Sequence, residues 1–463
     1  MLAMIKLSRR RLQLLSGLSL LGCGSSGWLP QLAASVAGTG RKPPRSCILL
    51  WMSGGPSQLD TFDPKEGHKN GGPVKSIETR VPGLRIAESL PKVAGIAEHL
   101  AVIRSMSTKE GDHSRAAYNL RTGYAPAGPI QYPALGAFLG KELHREDSDL
   151  PAWISINPFQ ALNPAAWGPG FLGPSWSPLV VASEGPPPMP AAADSDDTEG
   201  STDGSASQPR EIRFEVRNLR RPEAITGEQV QRRLALLSGF EQDFLSARPD
   251  LPGKSHVDSY ARAVRMMNSA GIDAFALDQE AAAVRDAYGR TAFGQGCLLA
   301  RRLVERGVPF VEVSLSSDER GGLGWDTHAD NFESVKNLCG VLDPAWSALM
   351  ADLQQRGLLE STLVVWMGEF GRTPQINENT GRDHWPASWS VVLGGAGIRG
   401  GQVYGATEAD GVAIADKPLK VSGLMATIVR ALGLDPETAN PSNIGRPIPL
   451  ADHGAEVAQE LLI

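Results

Sequence analysis

Cysteine is scarce in this chain, aromatic residues make up only 6%, and basic residues do not outnumber acidic ones. Each shortage excludes something. The four cysteines in 463 residues are Cys23, Cys47, Cys297 and Cys339. They show no metal-ligand spacing and are too few for a disulfide scaffold. Cys47 sits in an apolar run and reads as core, while a Cys297–Cys339 bridge is open in an oxidising compartment but not fixed by spacing. No Gly-Lys-Ser/Thr accompanies Ser53-Gly54-Gly55, so that turn is not a nucleotide loop. Gly55-Pro56-Ser57 still offers backbone donors to an oxyanion. No apolar run reaches the roughly 20 residues a membrane-spanning helix needs. Four of the 45 Lys and Arg precede Ala37, which leaves 41 against 51 Asp and Glu, a formal net charge near −10. That balance excludes nucleic acid as an expected partner.

What is present begins with an export signal. Lys6, Arg9, Arg10 and Arg11 precede an apolar run over residues 12–21, followed by small residues up to Ala37. This is the order of a signal peptide, and Ser8-Arg9-Arg10-Arg11-Leu12 matches the twin-arginine pattern. The expected location is periplasmic or extracellular. Two processing routes remain open. Ser35-Val36-Ala37 has the small-x-small form of an ordinary cleavage site. Leu20-Leu21-Gly22-Cys23 resembles a lipobox, and only lipidation at Cys23 would tie the chain to a membrane.

Residues 183–210 are rich in Pro, Ser, Asp and Gly and have almost nothing to bury, so they are expected to be a disordered surface insertion. The expected organisation is a signal peptide over 1–37, a first half over 38–182, the insertion, and a second half of the same domain over 211–463. Short apolar runs at 47–52, 100–103, 153–156, 309–313, 363–367 and 389–393 are strand candidates, several apolar on both faces as buried strands are. Between them, Val335, Leu338, Leu342, Trp346, Leu349 and Leu353 recur at helical spacing, and residues 424–432 do so more briefly. Strands alternating with helices predict an α/β chain, a three-layer αβα sandwich with a mostly parallel central sheet.

Ligands in such sheets bind outside the carboxyl ends of the strands, and the polar residues fall in the loops leaving those ends. Asp326 and His328, two apart, leave one side of an extended chain together and can grip one ion. Glu369 follows an apolar strand directly, and Asp383-His384 precedes another. Carboxylate with imidazole suits zinc or manganese, and calcium where more oxygens complete the shell. Each motif alone has a plainer reading: a surface Asp, a hydrogen-bonded His, or Glu369 paired with Arg372. Asp112-His113 likewise reads as ligand, base or nucleophile, or as Asp112 capping a helix that begins near Ser114. Asp60 is either a ligand or a shaper of the turn at Pro64.

The run from Ile48 through Ser53-Gly54-Gly55-Pro56-Ser57 to Asp60 and Asp63 carries a resemblance. So do Gly324-Trp325-Asp326-Thr327-His328, Gly368-Glu369-Phe370-Gly371-Arg372-Thr373-Pro374, Gly381-Arg382-Asp383-His384-Trp385-Pro386 and Gly445-Arg446-Pro447. Together they resemble the bacterial domain-of-unknown-function 1501 family, related to sulfatases and alkaline phosphatases, over nearly the whole mature chain. The resemblance implies an alkaline-phosphatase-like fold with one or two metals. Glu369 and Phe370 stand where the strand-end Asp-His of sulfatases is expected, and phenylalanine cannot bind metal. Ser114-Arg115 with Thr122-Gly123 resembles the sulfatase signature, but Gly111 holds its cysteine position, which excludes formylglycine chemistry.

Two functions follow. In one, a divalent metal held by Asp326, His328, Glu369, Asp383, His384 and Asp60 polarises a phosphate or sulfate ester of a small or polymeric anionic substrate. His113 and Asp112 then act in catalysis, and Arg115 or Arg372 neutralises the ester oxyanion. In the other, the fold is a secreted binding or structural module that uses the same cleft.

Overall fold

The computed structural model describes residues 45–463 apart from 127, 147, 162, 184–211, 217–223, 247–252 and 317–322. The signal segment with Cys23, and all of the expected insertion except Ser183, lie outside the described residues.

The first apolar run is strand β1 (Ser46–Met52), buried at every position. Alternate side chains leave opposite faces, so Ile48, Leu50 and Met52 enter one hydrophobic cluster and Cys47, Leu49 and Trp51 the other. The sheet continues with β2 (Leu100–Ser107), β3 (Trp153–Ile156), β4 (Leu179–Ser183), β5 (Phe214–Glu215), β6 (Phe310–Leu315), β7 (Thr362–Met367), β8 (Trp389–Gly395), β9 (Gln402–Tyr404) and β10 (Leu419–Lys420). These strands stand in the order β9-β2-β8-β7-β1-β6-β3-β4-β5, with β10 beside β2. All pair in parallel except β8, antiparallel to β2 and β7, and β5, antiparallel to β4.

Helices cover both faces, as a sheet apolar on both sides requires. On one face lie α5 (Ala292–Glu305) and α6 (Asn331–Gln355), and on the other α1 (His113–Thr122), α2 (Leu135–Leu143) and α7 (Val421–Ala431). The periodic set Val335, Leu338, Leu342, Trp346, Leu349 and Leu353 is the buried stripe of α6, each side chain worth about 1.5–3 kcal/mol when fully removed from water. Two further helices, α3 (Gly227–Ser246) and α4 (Gly253–Asn268), pack on each other. No described helix is long and apolar enough to cross a membrane.

The topology decides where chemistry can gather. Because β8 is antiparallel to both β2 and β7, the carboxyl ends of β1, β2, β6 and β7 share one edge with the amino end of β8. A buried pair anchors α1 beside that edge. Arg121, 2% exposed, reaches Glu312 on β6, and its guanidinium lies 4.0 Å from the ring of Trp167, whose indole N–H donates to Glu312 at 3.0 Å.

Candidate metal centre

Four loops reach the rim, and each is held by its own backbone. His113 opens α1 directly after β2, and the Asp112 carboxylate accepts the Arg115 N–H at 3.0 Å, capping the helix. Asp326 and His328 lie between β6 and α6, where the Trp325 N–H donates to the Ser53 carbonyl at 3.2 Å. The chain leaving β1 can pass this close only because it is glycine. Gly54 has φ +113° and a Cβ there would stand 2.4 Å from the Asp326 nitrogen; Gly55 has φ +79° and a Cβ would stand 2.8 Å from Phe370. Finally, Gly371–Arg372 pairs antiparallel with His384–Trp385, which sets His384 opposite Arg372.

The outcome is three imidazoles around one carboxylate oxygen. Asp326 Oδ1 lies 3.2 Å from His113 Nε2, 3.1 Å from His328 Nε2 and 3.3 Å from His384 Nε2. Ligand atoms of His113, Asp326 and His384 all fall within 4.8 Å of one another, and His328 Nε2 is 3.0 Å from His384 Nε2. Each ring is fixed from behind through its other nitrogen. His113 Nδ1 meets Glu369 Oε1 at 2.7 Å, His328 Nδ1 meets Asp383 Oδ1 at 2.8 Å, and His384 Nδ1 meets the Gly111 carbonyl at 2.8 Å.

These partners set the tautomers. A carboxylate or carbonyl can only accept, so each Nδ1 carries a proton and each neutral Nε2 presents a lone pair inward. Two such lone pairs face each other at 3.0 Å between His328 and His384, an arrangement that either a shared proton or a metal ion relieves. Buried His113 Nε2 and Glu369 Oε2 make no hydrogen bond. An imidazole whose far nitrogen donates to a carboxylate or carbonyl is the usual support of a metal ligand. Three imidazoles and a carboxylate therefore fit one divalent ion, zinc better than calcium, which prefers oxygen alone.

Without an ion the same carboxylates hold a proton instead. Burial alone would lower the His113 pKa, but Asp326 and Glu369 outweigh it and raise it to about 9. Burial would raise that of Asp326, yet contacts from His113, His384 and Arg372 hold it far below the usual carboxylate range. The hydrogen bond from His328 lowers the Asp383 pKa. A raised imidazole pKa stabilises the fold fully below its ordinary 6.5 and ceases to do so as pH climbs through about 9. The metal-free protein is thus expected to lose melting temperature between those values, and His113→Gln to lose less. Equal pH profiles for the two would remove that assignment.

Several expectations are corrected in role. Glu369 and Asp383 stand behind the imidazoles rather than among the converging nitrogens. Asp60 is not in the ring. Only 1% exposed, it receives Arg382 at 2.8 and 3.1 Å and Asn331 at 2.7 Å, so it anchors the loop that carries His384. Asp112 is a helix cap. Arg115 turns outward to Glu110 at 2.6 Å. Arg372, with no exposure, directs four of its five N–H donors to Asp326 at 2.5 Å and to the carbonyls of Gly54, Gly55 and Arg382, so it is turned inward and does not face an ester. Phe370 packs its ring 4.8 Å from that of His113 and 4.7 Å from that of His384, a wall rather than a ligand. The Gly111 carbonyl, which orients His384, left no signal in the sequence, because a backbone oxygen has none.

A family model described as "Protein of unknown function (DUF1501)" matches residues 44–462. No curated protein matches the chain in sequence. Among solved structures, the PsFucS1 sulfatase from Pseudoalteromonas sp. aligns at 12% identity and a TM-score of 0.38, over 88% of this chain and 70% of that one. The lipoteichoic acid synthase LtaP from Listeria monocytogenes aligns at 9% and 0.38, over 91% and 80%. An alkaline phosphatase from the Antarctic bacterium TAB5 aligns at 12% and 0.33, over 85% and 99%.

Proposed function

This chain belongs to the DUF1501 family, and we propose that its rim binds one divalent metal ion, zinc in preference to calcium or manganese, and hydrolyses phosphate or sulfate esters. The observation that supports the reading is the inward convergence of three Nε2 atoms on Asp326, each ring locked through Nδ1. His113, His328, His384 and Asp326 hold the ion, and Glu369, Asp383 and the Gly111 carbonyl orient the rings. A bound divalent cation supplies Lewis acidity toward an ester oxygen. Phe370 and the buried His113 side close the centre from within, while the His328 side chain, 47% exposed, marks the face open to substrate.

Arg115 is held by Glu110, and Arg372 is fully buried behind Asp326, which leaves oxyanion stabilisation to the ion. The same fact favours a second reading, a non-catalytic binding module with a metal-stabilised cleft. Metal analysis followed by a panel of aryl phosphate and aryl sulfate esters separates them. About one equivalent of metal with turnover lost in His384→Ala supports the hydrolase. Metal without turnover leaves the module, and no metal ends both.

For Asp383→Ala we expect a roughly 10-fold to 100-fold weaker ion, the usual effect of removing an outer-shell partner. Unchanged affinity in a zinc competition assay would mean that His328 needs no support. The substrate is an anionic ester, small or polymeric. Export through the twin-arginine route remains part of the reading, with the membrane involved only if Cys23 is lipidated. Residues 1–37 should carry a folded reporter out of the cytoplasm, and Arg9→Lys with Arg10→Lys should retain it. Continued export by the double variant would refute the route.

A further inference from the structure

We propose that this chain self-associates through α3, two copies packing antiparallel about a two-fold axis that passes between Leu236 and Phe240. The helix has two apolar sides. Val230, Leu234 and Leu237 are only partly exposed and follow one stripe at helical spacing. Leu236, Phe240 and Phe244 lie four residues apart on another stripe, and they are 63%, 71% and 50% exposed. No other described helix leaves more than one large apolar side chain so exposed.

Glycine borders the exposed side. Gly239, three residues after Leu236, lies inside the helix, and a Cβ there would meet nothing within 4 Å. Neither its own chain nor the backbone conformation calls for glycine, which weakens a helix interior relative to alanine. A second helix packed on this side passes beside Gly239, and helix separation depends on the side chains at the crossing.

Charge selects the occupant. Arg233 lies one turn before Leu236 and Asp243 one turn after Phe240, on the same side of the helix. Both are exposed, and neither has an ion-pair partner among the described residues. An antiparallel second copy with its axis between Leu236 and Phe240 sets Arg233 against Asp243 and Leu236 against Phe240, each twice by symmetry. A membrane surface fits less well. The helix carries Arg232 and Arg233 against Glu228, Glu241 and Asp243, whereas helices that lie on membranes are rich in Lys and Arg on their polar face. A single helix pair is at the small end of stable interfaces, so the dimer is reversible.

Sedimentation velocity on the mature protein across a dilution series tests this, with melting temperature confirming that each variant folds. The wild type should move from one copy toward two as concentration rises. Phe240→Lys, and Arg233→Asp or Asp243→Arg singly, should leave one copy throughout. Arg233→Asp combined with Asp243→Arg should restore the dimer, a rescue that hydrophobic aggregation cannot reproduce. A wild type that stays a single copy at the highest concentration overturns the proposal. So does failure of the charge-swapped double variant to associate, or wild-type binding to phosphatidylglycerol vesicles through Leu236 and Phe240 without self-association.

Discussion

Replacing His384 by alanine is expected to empty the metal centre, with essentially no zinc remaining where the wild type carries about one equivalent. The side chain supplies one of the converging nitrogens, and its Nδ1 is already fixed by the Gly111 carbonyl, so no neighbour can substitute without moving the backbone. Loss of the ion also removes the stability it gives by binding only the folded chain, about 2.7 kcal/mol when free ion stands 100-fold above its dissociation constant. His328→Ala should act in the same direction. The decisive control is chelation, which should lower the wild-type melting temperature and close most of its gap to the variants. Elemental analysis that finds the ion retained in both variants, or a wild type indifferent to chelator, would end the single-ion reading.

Asp60→Ala is expected to cost stability rather than a ligand. Asp60 is the buried counter-ion of Arg382, which is itself fully buried and also donates to the carbonyls of Thr373, Pro374 and Asn70. Removing one member of a buried pair leaves an uncompensated charge, at a cost of about 3–5 kcal/mol. Asn331 loses its acceptor as well, and it in turn receives the Thr327 hydroxyl at 2.6 Å within the loop that carries Asp326 and His328. Ion affinity should therefore fall along with stability. Asp60→Asn, which keeps two acceptor lone pairs but not the charge, should lie between. Urea unfolding together with zinc competition tells the outcomes apart. If Asp60→Ala loses the ion and keeps wild-type stability, Asp60 is a ligand as the sequence pattern suggested.

Much of the scaffold was legible before any coordinates. Runs such as 47–52 and 363–367 are apolar at every position, which only a strand buried on both faces can use, and they became β1 and β7. The stripe from Val335 to Leu353 has the period of one helix face and became the buried side of α6. The motif pairs Asp326 with His328 and Asp383 with His384 were visible as ligand-type residues in rim loops. Asp112 offered two readings in sequence, and its contact with the Arg115 N–H selects the cap.

What the sequence determined by itself is therefore the α/β class, the main strands, and the small set of loops from which a site had to come. Periodicity and composition are local properties, and burial acts on each segment in nearly the same way wherever the segment ends up. Only the tertiary structure decided the roles within the site. His113 joins Asp326 across more than two hundred residues because β2 and β6 end on one edge of the sheet, and Glu369 and Asp383 fall behind the rings rather than among the converging nitrogens. Asp60 was drawn inward to buried Arg382, and Arg372 was buried behind Asp326. A carboxylate's role depends on which charge lies within about 3 Å of it, and distances of that kind are fixed by packing, not by spacing along the chain.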